Sequence, residues 1–174
     1  REEVDLVGLL VDTVADARAA GPDHDWQLDL AVLEPPADAT PEEAEDFLPE
    51  PPLVIGDEAR LRQVIVNLLA NARVHTPAGS HVTTTLAREG DTLIVRIHDD
   101  GPGIAPDVRD RLFERFARGD SSRERRTGST GLGMSIALAI VQSHGGSIDV
   151  ASSTAPEDHG TTFSVRLPAA VVEE

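Results

Sequence analysis

The sequence predicts one α+β domain, a two-layer α/β sandwich of about five mixed, mostly antiparallel strands packed on three long helices. Two segments carry apolar residues at helical spacing, and a third helix follows a glycine-rich entry. Pairs of alternating segments are joined by turn residues, which is typical of strands. The 174 residues, 40% of them hydrophobic, suffice for one domain with a core. We therefore expect residues 1–174 to form a single domain.

The first third of the chain predicts a helix, two strands and a long loop. The helix runs from about Val4 to Ala20 and ends at Gly21. The segment "WQLDLAV" alternates as a strand, and "LVI" at residues 53–55 is a second, short strand. Residues 34–52 contain seven acids, six prolines and no basic residue, so we predict an acidic, solvated loop insertion there.

The middle of the chain gives the clearest helical pattern. A helix opens at Asp57 and ends at "HTPAG", and its apolar positions form one continuous stripe: Leu61, Val64, Ile65, Leu68, Leu69 and Ala72. A hairpin follows, with "HVTTTLAR" and "TLIVRIHD" joined by Glu89, Gly90 and Asp91. The last two strands are "SIDVAS" and "TTFSVRLP".

Composition excludes several classes of function. The net charge of −16 argues against a nucleic-acid or anionic membrane partner. The absence of cysteine excludes disulfides and thiolate metal sites. Seven of the fifteen arginines nevertheless lie between Arg109 and Arg126, and the chain has no lysine. Such a basic segment in an acidic protein is either a solvated loop or a contact for a local polyanion.

The polar face of the central helix is the first candidate site. Gln63, Asn67, Asn71 and His75 follow one another at intervals of four residues. Asparagine is a mediocre helix former, so two of them one turn apart suggest a specific task. Amide oxygens suit Mg²⁺, which also keeps waters and substrate phosphates in its shell. The alternative is a solvated polar face.

Two further segments could contact a ligand. Asp99 stands at the end of an apolar strand before "DGPG", where it could accept a hydrogen bond from an exocyclic amine such as that of adenine. A tight turn is the alternative. The glycine-rich segment "GSTGLGMSI" opens a helix near Leu132, and such entries hold phosphate through backbone N–H groups. Residues 114–130, which run from Phe113 into the start of this segment, fit a lid over an active site.

The order of these motifs resembles the catalytic, ATP-binding domain of sensor histidine kinases, within the wider GHKL ATPase group. "NLLANA", "DDGPGI", "LFERF", "GSTGLGMSI", "HGGSIDVASS" and "GTTF" follow one another over nearly the whole chain. The resemblance implies the GHKL type of sandwich with a mobile ATP lid. It also implies a bacterial two-component system, with ATP and Mg as cofactors.

The resemblance implies roles for individual residues. Asn71 would coordinate Mg²⁺, and Asn67 would lie near the γ-phosphate with a possible, indirect part in metal binding. Asp99 would bind the adenine amino group, and Arg118 would reach the phosphates from the lid. The remaining nucleotide-binding positions would be His75, Gly101, Gly103, Ile104, Gly131, Leu132, Gly133, and Thr161 or Thr162.

Two positions depart from the family pattern. Val74 stands where a lysine is common, and Arg73 beside it is rotated by about 100° around the helix. Ser129 replaces the first glycine of the phosphate-contacting segment. We hypothesise that Arg118 supplies the missing cation. Asn67 favours a kinase over an ATPase, because an amide cannot act as a general base toward water.

The sequence thus predicts a domain that transfers the γ-phosphate of ATP to a histidine. None of its six histidines has the "H-E-x-x-T-P" context of a phosphoacceptor, so we expect the acceptor in a dimerisation domain elsewhere in a longer protein. A response regulator would be the next partner. We expect a cytoplasmic domain of a membrane-anchored sensor, monomeric alone and homodimeric in the full-length protein. The alternatives are an anti-sigma-factor-type serine kinase and a degenerate nucleotide-binding interaction domain.

Overall fold

The computed structural model describes residues 1–109 and 130–171, with the backbone alone for residues 130–133. Its seven described strands are β1 (Glu2–Asp5), β2 (Asp25–Asp29), β3 (Leu53–Gly56), β4 (His81–Glu89), β5 (Thr92–Asp99), β6 (Ser147–Ser153) and β7 (Gly160–Pro168). Five of them form the main sheet in the order β2-β4-β5-β7-β6. The β2–β4 pair is parallel and the other pairs are antiparallel, as the prediction of a mixed sheet requires.

Three long helices cover one face of this sheet. They are α1 (Leu6–Ala20), α3 (Glu58–His75) and α4 (Thr130–Ser143), and the short α2 (Pro41–Glu45) lies between α1 and α3 in sequence. Residues 106–109 are also helical. Apolar side chains of the three long helices and of β4, β5, β6 and β7 form one buried cluster. The two-layer α+β prediction is therefore confirmed. No helix within the described ranges has the length and apolar character needed to cross a bilayer.

The start of the chain differs from the prediction of a helix from about Val4. Residues 2–5 form β1, which pairs antiparallel with β3 and places Val4 opposite Val54. The helix begins only at Leu6, because Asp5 has extended backbone angles and its carboxylate accepts a hydrogen bond from the Val7 N–H at 3.0 Å. Val4 is buried by this pairing, so its apolar character reflects a strand contact and not a helical face.

The acidic segment of residues 34–52 contains a short helix that the sequence analysis missed. Thr40 and Glu43 form a capping box around the N-terminus of α2, with the Thr40 N–H donating to Glu43 Oε2 at 2.9 Å. The pattern T-x-x-E was present in the sequence as a signal for this start. Side chains in this segment are mostly exposed, which agrees with a loop that buries little. The predicted strand "WQLDLAV" is also shorter, since residues 31–33 form a 3-10 turn.

Helix α3 lies at the centre of the packing between the helices and the sheet. Its predicted apolar stripe is buried throughout, and it packs against both α1 and α4 as well as β5. Asp57 caps the helix by accepting the Arg60 N–H at 3.2 Å, as the sequence predicted for this start. Thr76 ends it, with its hydroxyl donating to the Ala72 carbonyl at 2.6 Å. The outward face of α3 therefore has a fixed direction relative to the sheet.

His144 connects the end of α4 to the start of α3. Its Nδ1 lies 2.7 Å from the Ile140 carbonyl oxygen, which can only accept, so Nδ1 carries a proton. Its Nε2 lies 3.1 Å from the Asp57 N–H, which can only donate, so Nε2 is unprotonated. His144 is therefore a neutral imidazole at the C-terminal end of α4 that also binds the N-terminus of α3.

Gly56 lies against the ring of His144, and this contact generates a stability prediction. A Cβ at Gly56 would collide with His144 Cδ2 and would lie 2.6 Å from its Nε2. We expect Gly56→Ala to lower the free energy of unfolding by about 1–3 kcal/mol, since two hydrogen bonds hold the ring in place. Gly8→Ala is the matched control, because a Cβ at Gly8 in α1 meets only Asp5 at 3.5 Å. That control should raise stability by about 0.5–1 kcal/mol. Urea denaturation measures both free energies of unfolding. If Gly56→Ala had the same free energy of unfolding as the wild type, the proposed tight packing of the His144 ring would be wrong.

Candidate functional site

The polar face of α3 points toward the end of β5. Gln63 is exposed near the start of the helix, whereas Asn67 and Asn71 are half-buried farther along it. Among the described side chains, the Oδ1 of Asn71 is a buried oxygen without a hydrogen-bond partner. Such an oxygen costs free energy when it is left unsatisfied, roughly 1–3 kcal/mol. Its surroundings therefore suit a ligand that offers a cation or a donor.

Asp99 is the last residue of β5, and its carboxyl group is buried. The residue is 7% exposed, and its Oδ1 accepts the Gly101 N–H at 3.0 Å. Burial raises the pKa of this carboxyl above its usual value, because desolvation penalises the charged form more than the Gly101 hydrogen bond favours it. A buried carboxylate with spare acceptor capacity is suited to bind a donor group of a ligand.

The loop that follows Asp99 can take its course only with glycine at two positions. A Cβ at Gly101 would lie 2.6 Å from Thr76 Cγ2 and 3.0 Å from Asp99 Oδ1. Gly103 has a φ of 81°, and a Cβ there would collide with the Ser153 carbonyl. The resemblance implied that these glycines let the backbone approach a base. In the structure they also let the loop approach the end of α3 and the end of β6.

Polar side chains that the sequence analysis did not select hold this loop in place. Ser152 Oγ accepts the Ile104 N–H at 2.7 Å and lies 2.8 Å from Thr161 Oγ1. His159 Nδ1 lies 2.6 Å from the Gly101 carbonyl oxygen, to which it donates. The segments "SIDVASS" and "GTTF" contain or flank these residues, but only the tertiary contacts show their function.

A narrow pocket of about 40 Å³ lies between α3, β5, β7 and this loop. It brings together six of the residues selected from the sequence, namely Asn71, His75, Asp99, Gly103, Ile104 and Thr161. Gly101 adjoins it through its hydrogen bond to Asp99. Ala72, Ile97, Pro102 and Phe163 also line the pocket, and the sequence analysis did not select them as site residues.

The structure distinguishes the two threonines that the sequence left open. Thr161 is directly opposite Asp99 in the β5–β7 register, so both side chains face the pocket. Thr162 faces the opposite side of the sheet, where its hydroxyl lies 2.7 Å from His98 Nδ1. Thr161 is therefore the threonine beside the buried carboxylate.

Five other selected residues lie elsewhere or beyond the described ranges. Arg118 and nearly all of the predicted lid, residues 114–129, fall outside the described residues. Gly131, Leu132 and Gly133 are in the first turn of α4, which begins at Thr130 and not near Leu132 as predicted. Asn67 is on α3, one turn before Asn71, and does not line the pocket.

Arg73 does not take the place of the family lysine that Val74 replaces. Val74 carries no charge, is 57% exposed and does not line the pocket. Arg73 packs against Gly21 and lines, with Trp26, a separate groove of about 160 Å³ between α1 and α3. Its guanidinium therefore belongs to the α1 side of the helix, as the rotation of about 100° per residue requires.

A second, wider depression of about 1010 Å³ lies where the start of α3 meets the end of α4. It is lined by residues of both charges, among them Arg1, Glu58 and Arg60, together with His144. His144 is already saturated by Asp57 and Ile140. Because the narrow pocket holds the buried carboxyl and the unsatisfied amide oxygen, we assign the candidate site to the narrow pocket in spite of its smaller volume.

The raised pKa of Asp99 generates a prediction on stability. A proton binds this carboxyl more tightly in the folded than in the unfolded chain, where its pKa is about 3.8. The stabilisation from that proton is complete below pH 3.8 and is lost as the pH rises through the folded pKa. We therefore expect the wild type to gain stability relative to Asp99→Asn as the pH is lowered from 7 to 4. The gain is about 1.4 kcal/mol per pH unit by which the folded pKa exceeds 3.8.

Urea denaturation of both proteins at each pH measures this difference. Asp91→Asn is the control, because Asp91 is an exposed carboxyl in the β4–β5 turn. A wild-type minus Asp99→Asn difference that stays flat with pH would show that the carboxyl titrates normally.

The chain matches the family of the histidine kinase-, DNA gyrase B-, and HSP90-like ATPases over residues 56–171. A relative from Mycobacterium tuberculosis, described as "Probable sensor histidine kinase TcrY", is 48% identical over 168 residues. That alignment covers 97% of this chain and 31% of the relative. The chain thus spans about a third of the length of such relatives.

Solved structures agree with this assignment. The mycobacterial sensor histidine kinase MprB superimposes with a TM-score of 0.74 at 28% identity, covering 98% of this chain and 100% of that one. Full-length ShkA in complex with AMPPNP gives a TM-score of 0.70 at 26% identity, covering 98% of this chain and 31% of that one. These matches do not favour the anti-sigma-factor-type serine kinase or the degenerate domain. The chain belongs to the histidine kinase-like ATPase family and is an ATP-binding catalytic domain of the sensor histidine kinase type.

Proposed function

We propose that this domain binds ATP with Mg²⁺ in the narrow pocket and transfers the γ-phosphate to a histidine of a separate phosphoacceptor domain. The observation that carries the proposal is the buried, unpartnered Oδ1 of Asn71 in the pocket that also contains Asp99. The Asn71 oxygen is suited to bind a cation, and the Asp99 carboxylate is suited to accept a hydrogen bond from a donor group. A Mg²⁺-bound adenine nucleotide presents both.

Asp99 gives the pocket its preference for adenine. Its carboxylate accepts a hydrogen bond from the exocyclic amine of the base, with Thr161 beside it. Guanine carries a carbonyl oxygen at the corresponding position, which would face the carboxylate without a proton between them. A buried charge left unpaired in this way is costly, so the pocket disfavours guanine.

Asn71 would hold Mg²⁺ through its amide oxygen. The ion, when bound with ATP, supplies positive charge that offsets the charge developing on the transferred phosphoryl group. Asn67, one turn earlier, contacts the phosphate end and does not activate water, because an amide is not a base near neutral pH. A neutral imidazole needs no such activation, and this favours transfer to histidine over hydrolysis.

The phosphate end of the site is completed by residues of the lid and of α4. Arg118 contributes the cation that Val74 does not, and the backbone around Gly131, Leu132 and Gly133 borders the triphosphate. His75 and Ile104 flank the nucleotide from α3 and from the loop after β5. The family resemblance supports these roles.

In the longer protein, this domain acts on a dimerisation domain that carries the acceptor histidine, and a cognate response regulator receives the phosphate. The full-length protein is a homodimeric, membrane-anchored sensor with this domain in the cytoplasm, and the isolated domain is a monomer. Family membership supports these partners. The formal charge of −16 remains an argument against nucleic acid as a partner.

Asn71→Ala tests the metal end of the pocket. We expect the affinity for ATP in the presence of Mg²⁺ to fall about tenfold or more, because a contact to a charged group is lost. The free energy of unfolding of the ligand-free domain should fall little, since the deleted oxygen has no partner there. Titration of a fluorescent ATP analogue with and without Mg²⁺ measures the first effect. Gln63→Ala, two turns earlier on the same face and exposed, is the matched control. Equal affinities of Asn71→Ala and wild type would refute the metal assignment.

The isolated domain should bind ATP without phosphorylating itself. None of its histidines lies in a phosphoacceptor context, and both ring nitrogens of His144 are engaged in hydrogen bonds. Incubation with γ-labelled ATP should therefore leave the protein unlabelled, while the same preparation binds the fluorescent analogue. Acid-labile label on the isolated domain would overturn the assignment of the acceptor to another domain.

A further inference from the structure

A row of three polar side chains crosses the end of the sheet beside the narrow pocket. Asp99 on β5 stands directly opposite Thr161 on β7, and Thr161 in turn stands directly opposite Ser152 on β6. Residues that are directly opposite in neighbouring strands point to the same face of a sheet, so all three side chains lie on the pocket side. Asp99 and Thr161 line the pocket, whereas Ser152 lies one strand farther out and does not.

The Ser152 hydroxyl is shared by three neighbours. Its oxygen accepts the Ile104 N–H at 2.7 Å, lies 2.8 Å from Thr161 Oγ1 and is 3.1 Å from the Gly160 carbonyl oxygen. A hydroxyl has one proton and two lone pairs, which suffice for three such partners. Ile104 lines the pocket from the loop after β5, and Thr161 lines it from β7. One side chain outside the pocket therefore contacts two residues that form its walls.

The backbone is closely packed around this hydroxyl. A Cβ at Gly103 would collide with the Ser153 carbonyl, so the loop lies against the end of β6 one residue away from Ser152. A Cβ at Gly160 would collide with the Asp99 carbonyl, so the start of β7 lies equally close to the end of β5. The loop and the strands therefore meet around the Ser152 hydroxyl, and its hydrogen bonds fix them relative to one another.

Removal of the Ser152 hydroxyl would leave two polar groups without this partner. Thr161 is only 4% exposed, so water has little access to its side chain. The Ile104 N–H would lose the acceptor at 2.7 Å that holds the loop. A buried polar group that loses its partner costs free energy, and the loop and the Thr161 side chain would move to recover a hydrogen bond. Both walls of the pocket would then shift relative to the base.

We propose that Ser152 is a positioning residue for recognition of the adenine base. It acts by holding the Thr161 hydroxyl beside Asp99 and the Ile104 backbone on the loop side of the pocket. The separation of these two walls is thereby fixed, and with it the position of the base relative to the Asp99 carboxyl. Loss of the hydroxyl weakens adenine binding more than guanine binding, because only adenine donates to Asp99. The inference rests on the proposed function, whereas the contact between Ser152 and the loop is measurable without nucleotide.

The contact to the loop is tested in the ligand-free domain by NMR hydrogen exchange. In the wild type, the Ile104 amide proton should be protected, because Ser152 Oγ accepts it. Ser152→Ala should speed its exchange about fivefold or more. Ser153→Ala is the matched control, because Ser153 Oγ accepts the Ala155 N–H at 3.2 Å and alternates to the opposite face of the sheet. It should leave the Ile104 exchange rate unchanged. An unprotected Ile104 amide in the wild type, or equal exchange in the wild type and Ser152→Ala, overturns the inference.

Recognition of the base is tested by competition of ATP and GTP against the fluorescent ATP analogue in the presence of Mg²⁺. Ser152→Ala should bind ATP about three- to tenfold more weakly than the wild type, whereas its affinity for GTP should change less. The preference for ATP over GTP should therefore fall, and Ser153→Ala should keep the preference of the wild type. A residue that only stabilises the fold would change both affinities by the same factor or change neither. Either of those results sinks the positioning role.

A double-mutant cycle tests whether Ser152 acts through Thr161. In a Thr161→Val background, Ser152→Ala should lower the ATP affinity by a smaller factor than in the wild type, because the shared contact is already lost. Fully additive effects would show that Ser152 does not act through Thr161. If the wild type binds neither nucleotide, the proposed function is wrong, and the exchange rate of the Ile104 amide still decides whether Ser152 positions the loop.

Discussion

The packing of α3 against the sheet is the contact on which the rest of the candidate site depends. Six apolar side chains on one face of the helix are buried in the common core, and this burial fixes the direction of the opposite face. Asn71 consequently faces the end of β5, where Asp99 is buried. The His144 side chain adds a hydrogen bond to the first turn of α3 and joins it to α4. The helices that carry the metal-binding and phosphate-contacting candidates are thereby held in one arrangement.

Close approach of backbone is the second constraint on the site. The loop after Asp99 passes so near to Thr76 and to Ser153 that side chains at Gly101 and Gly103 would not fit. Ser152 and His159 then hold the loop through hydrogen bonds to its backbone. Glycine removes the steric barrier, and the polar side chains supply the attraction. A loop between β5 and the lid region can therefore keep a defined position beside the carboxyl.

The ligand-free site contains polar groups that the protein itself does not satisfy. Asn71 Oδ1 has no partner, and burial makes the charged form of Asp99 less favourable than in water. Both features cost stability in the free domain, and a Mg²⁺-bound adenine nucleotide would remove both costs. His144 illustrates how hydrogen-bond partners assign a tautomer, because the acceptor at Nδ1 and the donor at Nε2 together require the neutral ring.

The sequence by itself determined the long helices, the hairpin, the polar face of α3 and the position of Asp99 at a strand end, because periodicity, caps and turn residues act locally. It did not reveal β1, since Val4 is apolar in a helical pattern and in a strand alike. It left Thr161 and Thr162 equivalent, and only the register of β7 with β5 separated them. Ser152 and His159 were decided by the tertiary structure, because partners such as Ile104 and Ser152 are 48 residues apart and no local pattern records their contact.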